Sequence, residues 1–108
     1  MLTHIHIRHL AVIDELAVEF GPGMTVITGE TGAGKSILID ALGLCLGDRA
    51  EASLVRHGSD QADITALFDI ADAATVRQWL ADNDFALEPE LSLRRTINKE
   101  GRSRAYIN

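Results

Sequence analysis

The sequence predicts an α/β fold in which a central strand–loop–helix unit is flanked by antiparallel strands. Three observations predict it. The β-branched, almost continuously apolar run Met24–Thr28 is typical of a central strand covered on both faces. A glycine-rich segment follows, and then residues 35–46, which are apolar almost all round, as in a helix buried beneath a sheet. Segments on either side of this unit alternate between apolar and polar residues, as strands with one buried face do.

Two strands are predicted before the unit. Residues 2–9 alternate, with Ile5 and Ile7 directed inward, and residues 15–20 alternate in the same way. The segment Gly21-Pro22-Gly23 is a strong turn signal between the second strand and the apolar run.

The predicted helix is followed by four further elements. Gly47 is a natural end for the helix, and residues 48–60 are polar and irregular. Residues 64–70 alternate and predict a strand. Residues 75–80 predict a short helix, with Asp72 as its N-cap and Trp79 packing it onto the sheet. A hairpin completes the pattern, with one strand through Leu91, Leu93 and Arg95, a turn at 98–101 and a second strand at 103–107.

Length and composition predict a single domain spanning residues 1–108. Cys45 is the only cysteine, which excludes an internal disulfide and fits a reducing compartment. The sequence contains no apolar run of 18 residues and no secretory signal pattern, so we expect a cytoplasmic protein that does not enter a membrane.

The charge is unevenly distributed along the chain. The net charge of −6 argues against a protein that coats nucleic acid by bulk charge. Residues 94–108 nevertheless carry five basic side chains against one acidic side chain, Glu100. A solvated hairpin is the favoured interpretation, and a surface that faces an anion or a partner is the alternative. The basic residues are Arg94, Arg95, Lys99, Arg102 and Arg104.

One motif carries recognisable chemistry. Residues 29–36 satisfy the pattern G-x-x-x-x-G-K-[ST] between a predicted strand and a predicted helix, which is the arrangement of a phosphate-binding loop. Its glycines allow close approach of the backbone to phosphates, and its amides and the helix N-terminus favour an anion. Lys35 is expected to reach the β- and γ-phosphates, and the Ser36 hydroxyl to ligate Mg²⁺. The candidate nucleotide-binding residues are Gly29, Glu30, Thr31, Gly32, Ala33, Gly34, Lys35 and Ser36.

The nucleotide is expected to be ATP. A guanine-reading N-K-x-D element is absent, because the segment 98–101 ends in Gly101 where Asp is required. No catalytic residue is assigned. The segment Ala66–Asp69 imitates an apolar strand that ends in a Mg²⁺-binding acid, but Ile70 follows where a catalytic Glu would stand, so an ordinary strand is favoured. His4 and His6 share one strand face, and surface histidines are favoured over a metal pair.

Several segments together resemble the RecN family of bacterial DNA repair proteins, which are SMC-like ATPases. Residues 28–42, TGETGAGKSILIDAL, are similar to the phosphate loop of that family, and residues 46–50, LGDRA, to the segment after its first helix. The stretch 55–58 resembles the next segment, and 101–108, GRSRAYIN, resembles a hairpin of the family. His9 is a departure, since the family pattern has Asn there.

The resemblance implies an ATPase head of the ABC/SMC type, divided by a long antiparallel coiled coil, of which this chain is the N-terminal lobe. The acidic Mg²⁺ strand, the catalytic Glu, the coiled coil and the C-terminal lobe then lie outside this chain. The resemblance further implies a homodimer with ATP sandwiched between two heads, and ATP hydrolysis in the full-length protein. It also implies binding to DNA on the nucleoid during recombinational repair of double-strand breaks. Arg56 resembles an arginine near the nucleotide in SMC heads.

Other functions remain open at this point. An ABC transporter ATPase is one alternative, although Phe20 is the only nearby aromatic residue upstream of the loop that could stack on adenine. A phosphate-loop ATPase of another role is a second alternative. A non-enzymatic interaction module with a vestigial loop is the third.

Overall fold

The structure is a computed structural model that describes residues 2–21, 24–29, 34–85 and 88–107, with the backbone alone at residues 21, 24–29 and 34–36. The described elements follow in the order β1 Leu2–Leu10, β2 Ile13–Gly21, β3 Met24–Gly29, α1 Gly34–Cys45, a 3₁₀ turn Ala52–Leu54, β4 Gln61–Asp69, α2 Ala74–Asp82, β5 Glu90–Asn98 and β6 Ser103–Ile107. Each predicted strand and helix is therefore present, and the predicted α/β class with antiparallel flanking strands is confirmed. Most elements extend one to three residues beyond the predicted bounds.

The six strands form one antiparallel sheet in the order β3-β2-β1-β4-β5-β6. β3 therefore lies at an edge and pairs only with β2 among the described strands, whereas the apolar run had predicted a central strand. The composition of a strand indicates how its faces are covered, but it does not specify which neighbours pair with its backbone. The predicted turn at Gly21-Pro22-Gly23 includes Pro22 and Gly23, which lie outside the described residues.

α1 packs across one face of the sheet, against β4 and β5. Its Ala41 and Leu44 are buried, and Ile37, Leu38, Leu42 and Cys45 are partly buried against the same core. Ile39 and Leu46 are 74% and 66% exposed, so the helix is covered on one side and not all round as predicted. The sheet residues buried in this core include Ile5, Ile7, Leu16, Val18, Ala62, Ile64, Ala66 and Ile97.

Gly47 terminates α1 as predicted, two residues after the last helical residue, Cys45. Gly47 has a φ of +113°, a conformation that glycine adopts at little cost. The Asp48 N–H donates to the Gly43 carbonyl at 2.9 Å and the Gly47 N–H donates to the Leu44 carbonyl at 3.2 Å. These two bonds form a Schellman motif, which satisfies carbonyls that the end of a helix leaves without partners.

Two predictions about α2 are wrong. Asp72 is not the N-cap, because α2 begins after Ala73 and has no side-chain cap hydrogen bond. Trp79 does not pack the helix onto the sheet: it is 50% exposed and stacks on Phe85, with ring centroids 5.7 Å apart. Leu80, one residue later, is the buried anchor, because a step of one residue on a helix rotates the side chain by about 100°.

The predicted β5–β6 hairpin and its turn are confirmed. The Gly101 N–H donates to the Asn98 carbonyl at 3.0 Å, and Gly101 has a φ of +88°. The Asn98 side chain also accepts hydrogen bonds from the N–H groups of Glu100 and Arg102. A short polar side chain thus organises the turn that reverses the chain.

The face of the sheet away from α1 is polar. Cross-strand pairs on it join His4 to Glu19 at 3.4 Å, His6 to Glu15 at 2.8 Å, and Arg94 to Asp63. Alternation of apolar and charged residues along the strands produces these two faces, as the sequence pattern predicted. No helix among the described residues is long and apolar enough to span a membrane.

Candidate nucleotide-binding site

The candidate phosphate loop joins an edge strand to the N-terminus of α1. β3 ends at Gly29, and α1 begins at Gly34. Glu30, Thr31, Gly32 and Ala33 lie outside the described residues, and the backbone alone is described at Lys35 and Ser36. The strand and the helix predicted on either side of the motif are both present, so the backbone context that a phosphate-binding loop requires is met.

The start of α1 is electrostatically suited to an anion. The first four amides of an α-helix have no carbonyl partner within the helix, and the macrodipole adds partial positive charge at this end. The first turn of α1 contains no acidic residue that would offset this charge. Lys35 adds a positive charge to that turn, so the composition of this helix N-terminus suits an anion such as a phosphate.

Strand register shows which other elements share the loop's end of the sheet. Gly29 pairs with Leu16, Leu16 with Ile7, Ile7 with Ile64, and Ile64 with Arg95. β3 ends at this row, and the neighbouring strands continue past it toward the β1–β2 turn at 11–12 and the loop 55–60. The β5–β6 turn lies at the same end. The candidate loop, the segment containing Arg56 and the tip of the basic hairpin are therefore at one end of the molecule.

Arg56 is fixed to the β1–β2 turn. Its Nη1 donates to the Val12 carbonyl at 2.5 Å, and its backbone N–H donates to the His9 carbonyl at 2.8 Å. This turn connects β1 and β2, the two strands nearest to β3 in the sheet. Arg56 therefore lies at the end of the sheet where β3 ends with Gly29. Its predicted contact with a nucleotide stays a prediction.

The acid considered for Mg²⁺ lies at the opposite end of the sheet. Asp69 ends β4 and pairs with Glu90, while Phe68 pairs with Leu2 at the start of β1. Asp69 is five residues from the row of Gly29, or about 17 Å along the strand. Its carboxylate accepts a hydrogen bond from the Ala71 N–H at 3.0 Å. The interpretation of β4 as an ordinary strand therefore fits its position.

Arg95 has a role that the sequence pattern did not reveal. Its side chain turns toward α1, where Nη1 donates to the Leu44 carbonyl at 2.9 Å and to the Asp48 carbonyl at 3.2 Å. Nη2 donates to Ser103 Oγ at 3.2 Å, and the buried Nε has no partner among the residues that the structure describes. A guanidinium at a helix C-terminus is favoured by the helix dipole. Arg95 therefore ties the hairpin to the helix that begins at the candidate loop.

Three of the five basic side chains in residues 94–108 have a partner among the described residues: two form ion pairs, and Arg95 bonds to carbonyls at the end of α1. Arg94 pairs with Asp63, and Lys99 pairs with Asp60 at 3.1 Å. Their hydrogen bonds to these carboxylates raise the pKa of both side chains. With Arg95 directed inward, the exposed pair is Arg102 and Arg104.

Comparison with known proteins identifies the class. A family model described as an AAA domain matches residues 4–104, and the chain belongs to this family. The chain is 53% identical over all 108 residues to the DNA repair protein RecN of Vibrio cholerae, of which it covers 20%. This similarity confirms the resemblance seen in the sequence. The chain spans about a fifth of the length of the curated relatives it matches.

Solved structures agree on the fold. The Smc head domain of Pyrococcus furiosus, solved with an extended coiled coil and bound to the C-terminal domain of ScpA, superposes with a TM-score of 0.73 at 17% identity. The match covers 99% of this chain and 29% of that one. A structure from work on ATP-driven dimerization and DNA-stimulated activation of SMC ATPases gives a TM-score of 0.65 at 21% identity, covering 99% and 69%. The fold is therefore that of an SMC head lobe.

Proposed function

We propose that residues 1–108 form the N-terminal, ATP-binding lobe of a RecN-like ATPase that acts in the repair of DNA double-strand breaks. The observation that carries the proposal is the G-x-x-x-x-G-K-[ST] motif between an edge strand and a helix, within a chain 53% identical to a RecN protein. The similarity to RecN proteins over all 108 residues favours this role over the ABC transporter alternative.

In this proposal the amides and glycines of residues 29–34 surround the phosphates of ATP. Lys35 supplies a mobile positive charge to the β- and γ-phosphates, and Ser36 supplies a hydroxyl ligand to Mg²⁺. Bound Mg²⁺ would neutralise charge on the phosphates during transfer. Arg56, at the same end of the sheet, is proposed as an additional contact to the nucleotide.

Hydrolysis is proposed for the full-length protein and not for this lobe alone. A homodimer that encloses ATP between two heads would complete each site, as implied by the ATP-driven dimerization described for SMC ATPases. The catalytic acid would then come from a part of the head outside these 108 residues. The protein would work on DNA in the cytoplasm.

The experiment compares Lys35→Ala with Lys99→Ala in cells of the source organism, at the protein's own chromosomal locus. Lys35 and Lys99 are the chain's two lysines, and Lys99 is an exposed residue paired with Asp60, so it is a matched control. After double-strand breaks are induced, we expect Lys35→Ala cells to survive as poorly as cells lacking the gene and Lys99→Ala cells to survive as well as wild type. Equal survival of all strains would rule out the proposed role.

A further inference from the structure

The connection between β4 and β5 carries an exposed aromatic surface at the end of the sheet opposite to the candidate phosphate loop. Val76 and Trp79 are 37% and 50% exposed and lie one turn apart on the same face of α2. The Trp79 ring stacks on Phe85 with 15° between the ring planes. We call these three residues the α2 patch. An exposed apolar patch rimmed by polar residues is typical of an interaction site, whereas single exposed apolar residues are ordinary.

Local contacts hold the α2 patch in place. The Asn83 side chain donates to the Trp79 carbonyl at 2.9 Å, and the Phe85 N–H donates to the Leu80 carbonyl at 2.9 Å. Leu80 itself is buried and fixes the inner side of the helix. The aromatic pair is therefore ordered before any partner binds, so less conformational entropy is lost on binding. Tryptophan is among the residue types that most often carry the binding energy of an interface.

The α2 patch lies in an acidic segment. Residues 69–90 contain six acidic side chains and one basic side chain, Arg77, which gives a net charge of −5. Arg77 donates to the Glu88 carbonyl at 3.3 Å. Within the described part of the chain, the acids at 72, 82, 84, 88 and 90 form no ion pair, and all five are exposed. The six acidic residues are Asp69, Asp72, Asp82, Asp84, Glu88 and Glu90.

Two of these acids lie at the wrong end of α2 for helix stability. Asp82 is the last residue of the helix, Asp84 follows two residues later, and the last turn contains no basic residue. The C-terminus of a helix carries partial negative charge, so a carboxylate there is unfavourable and a cation is favourable. A cationic group bound beside Asp82 and Asp84 would offset this unfavourable charge.

We propose that the α2 patch docks a basic, amphipathic segment of a partner protein. An apolar side chain of that segment would cover Trp79 and Phe85, and its lysine or arginine side chains would face Asp82 and Asp84. Opposite charges on the two surfaces steer such an encounter and fix its register, and a cation beside an indole ring is attracted to the ring face. The same negative charge disfavours nucleic acid and anionic lipid surfaces as occupants. The proposal goes beyond nucleotide binding and does not depend on it.

The test measures binding of a fluorescein-labelled peptide to the full-length protein by anisotropy, at low and at high salt. The peptide consists of leucine and lysine spaced to form an amphipathic helix. Two control peptides replace every lysine by serine or by glutamate.

Three protein variants are compared with wild type. Trp79→Ala removes the indole ring, and Asp82→Asn/Asp84→Asn removes two charges while keeping the shape of both side chains. Asparagine is also well tolerated at the φ of +62° that Asp84 adopts. The matched control is Glu51→Gln/Glu100→Gln, which removes two charges from exposed residues elsewhere in the chain.

We expect Trp79→Ala to bind the leucine–lysine peptide at least roughly tenfold more weakly, because the surface that the apolar side chain covers is lost. Asp82→Asn/Asp84→Asn should weaken binding roughly threefold at low salt and by less at high salt, because salt screens exposed charges. Glu51→Gln/Glu100→Gln should bind as wild type does. Thermal unfolding followed by circular dichroism shows whether each variant is folded, and the asparagine variant still decides the matter if Trp79→Ala unfolds.

Equal losses in the asparagine variant and its matched control would indicate general attraction to an acidic protein and would overturn the proposal. Equally tight binding of the serine or glutamate peptide would overturn it as well, because the occupant would then not be basic. Failure of the full-length protein to bind the leucine–lysine peptide would mean that another part of the protein or a second copy covers the α2 patch, which also contradicts the proposal.

Discussion

The Arg95 guanidinium donates a hydrogen bond to the Leu44 carbonyl at 2.9 Å and thereby joins the middle of β5 to the last turn of α1. The same nitrogen reaches the Asp48 carbonyl, and the other terminal nitrogen reaches Ser103 on β6. One side chain thus connects the helix that starts at the candidate phosphate loop with both strands of the basic hairpin. Its neighbour Arg94 faces the other side of the sheet, as alternation along a strand requires.

Arg95→Met is expected to destabilise the fold. The substitution keeps the aliphatic stem but removes the charged donor to the Leu44 and Asp48 carbonyls, and hydrogen bonds to charged groups contribute about 1.5–3 kcal/mol each. We expect a loss of about 2–3 kcal/mol in urea unfolding monitored by circular dichroism. The matched change Arg94→Met removes the ion pair with Asp63 at the surface of the sheet. It should lower the free energy of unfolding by no more than about 1 kcal/mol. Equal effects of the two substitutions would contradict the assigned role of Arg95.

Cys45 is expected to be an unreactive thiol. Burial raises its pKa from the ordinary value of 9.0 to about 11, and nearby Arg95 offsets this only in part. The thiolate is the reactive form, so alkylation by iodoacetamide at pH 8 should be much slower in the folded chain than in urea. Equal labelling rates in the two states would contradict the described packing of Cys45.

The same shift predicts a pH dependence of stability. Below about pH 9 the thiol is protonated in both states, and its contribution is constant. As the pH rises from 9 toward 11, the unfolded chain loses this proton while the folded chain keeps it. The free energy of unfolding should therefore fall over this range. In Cys45→Ala the fall should be smaller. Parallel pH profiles for the two proteins would exclude this contribution.

Ala11 is strained in the β1–β2 turn. It has a φ of +51°, which side chains other than glycine adopt at a cost of about 1 kcal/mol. Ala11→Gly should relieve this strain while keeping the N–H bond to the Leu54 carbonyl at 2.7 Å. After the added entropy of the unfolded chain is subtracted, we expect a gain of about 0.5 kcal/mol. The control Ala105→Gly, in the extended strand β6, should destabilise. A loss of stability in Ala11→Gly would show that the turn is unstrained.

The 108-residue chain alone is expected to hydrolyse ATP at the background rate. In the proposed function the catalytic acid comes from a part of the head outside these 108 residues, so this lobe alone would lack the group that activates water. Phosphate release from Mg-ATP should match that of Lys35→Ala in the same buffer. Turnover by the wild-type chain that disappears in Lys35→Ala would show that this lobe holds a complete catalytic site.

The sequence predicted the elements well because their signals are local. Alternation with period two located the strands through Ile5, Ile7 and Ile64, and Gly47 located the end of the helix. The errors concern relations between elements. Nothing in residues 24–28 indicates an edge position, because strand pairing depends on the whole chain. Trp79 was predicted to pack α2 onto the sheet, but it is the neighbouring Leu80 that is buried.

The candidate site could be predicted from the spacing of eight contiguous residues, Gly29 to Ser36, and from the strand and helix predicted on either side, and its contacts with a nucleotide stay a prediction. The role of Arg95 could not be predicted in this way. An arginine that follows Arg94 in a strand looks the same in the sequence whether its side chain faces solvent or the end of a helix. Only tertiary packing decides which of the two environments it occupies. The helpful signal in retrospect is alternation, because Arg95 is in phase with Leu93 and Ile97 on the apolar face of β5.

The most direct test of the central claim is calorimetric titration of Mg-ATP into the full-length protein and its Lys35→Ala variant, with Lys99→Ala as the control. If Lys35 holds the β- and γ-phosphates, the variant should lose at least about tenfold in affinity, because a charge-assisted bond contributes about 1.5–3 kcal/mol. Lys99→Ala should bind as wild type does. Unchanged affinity in Lys35→Ala would mean that residues 29–36 are not the nucleotide site.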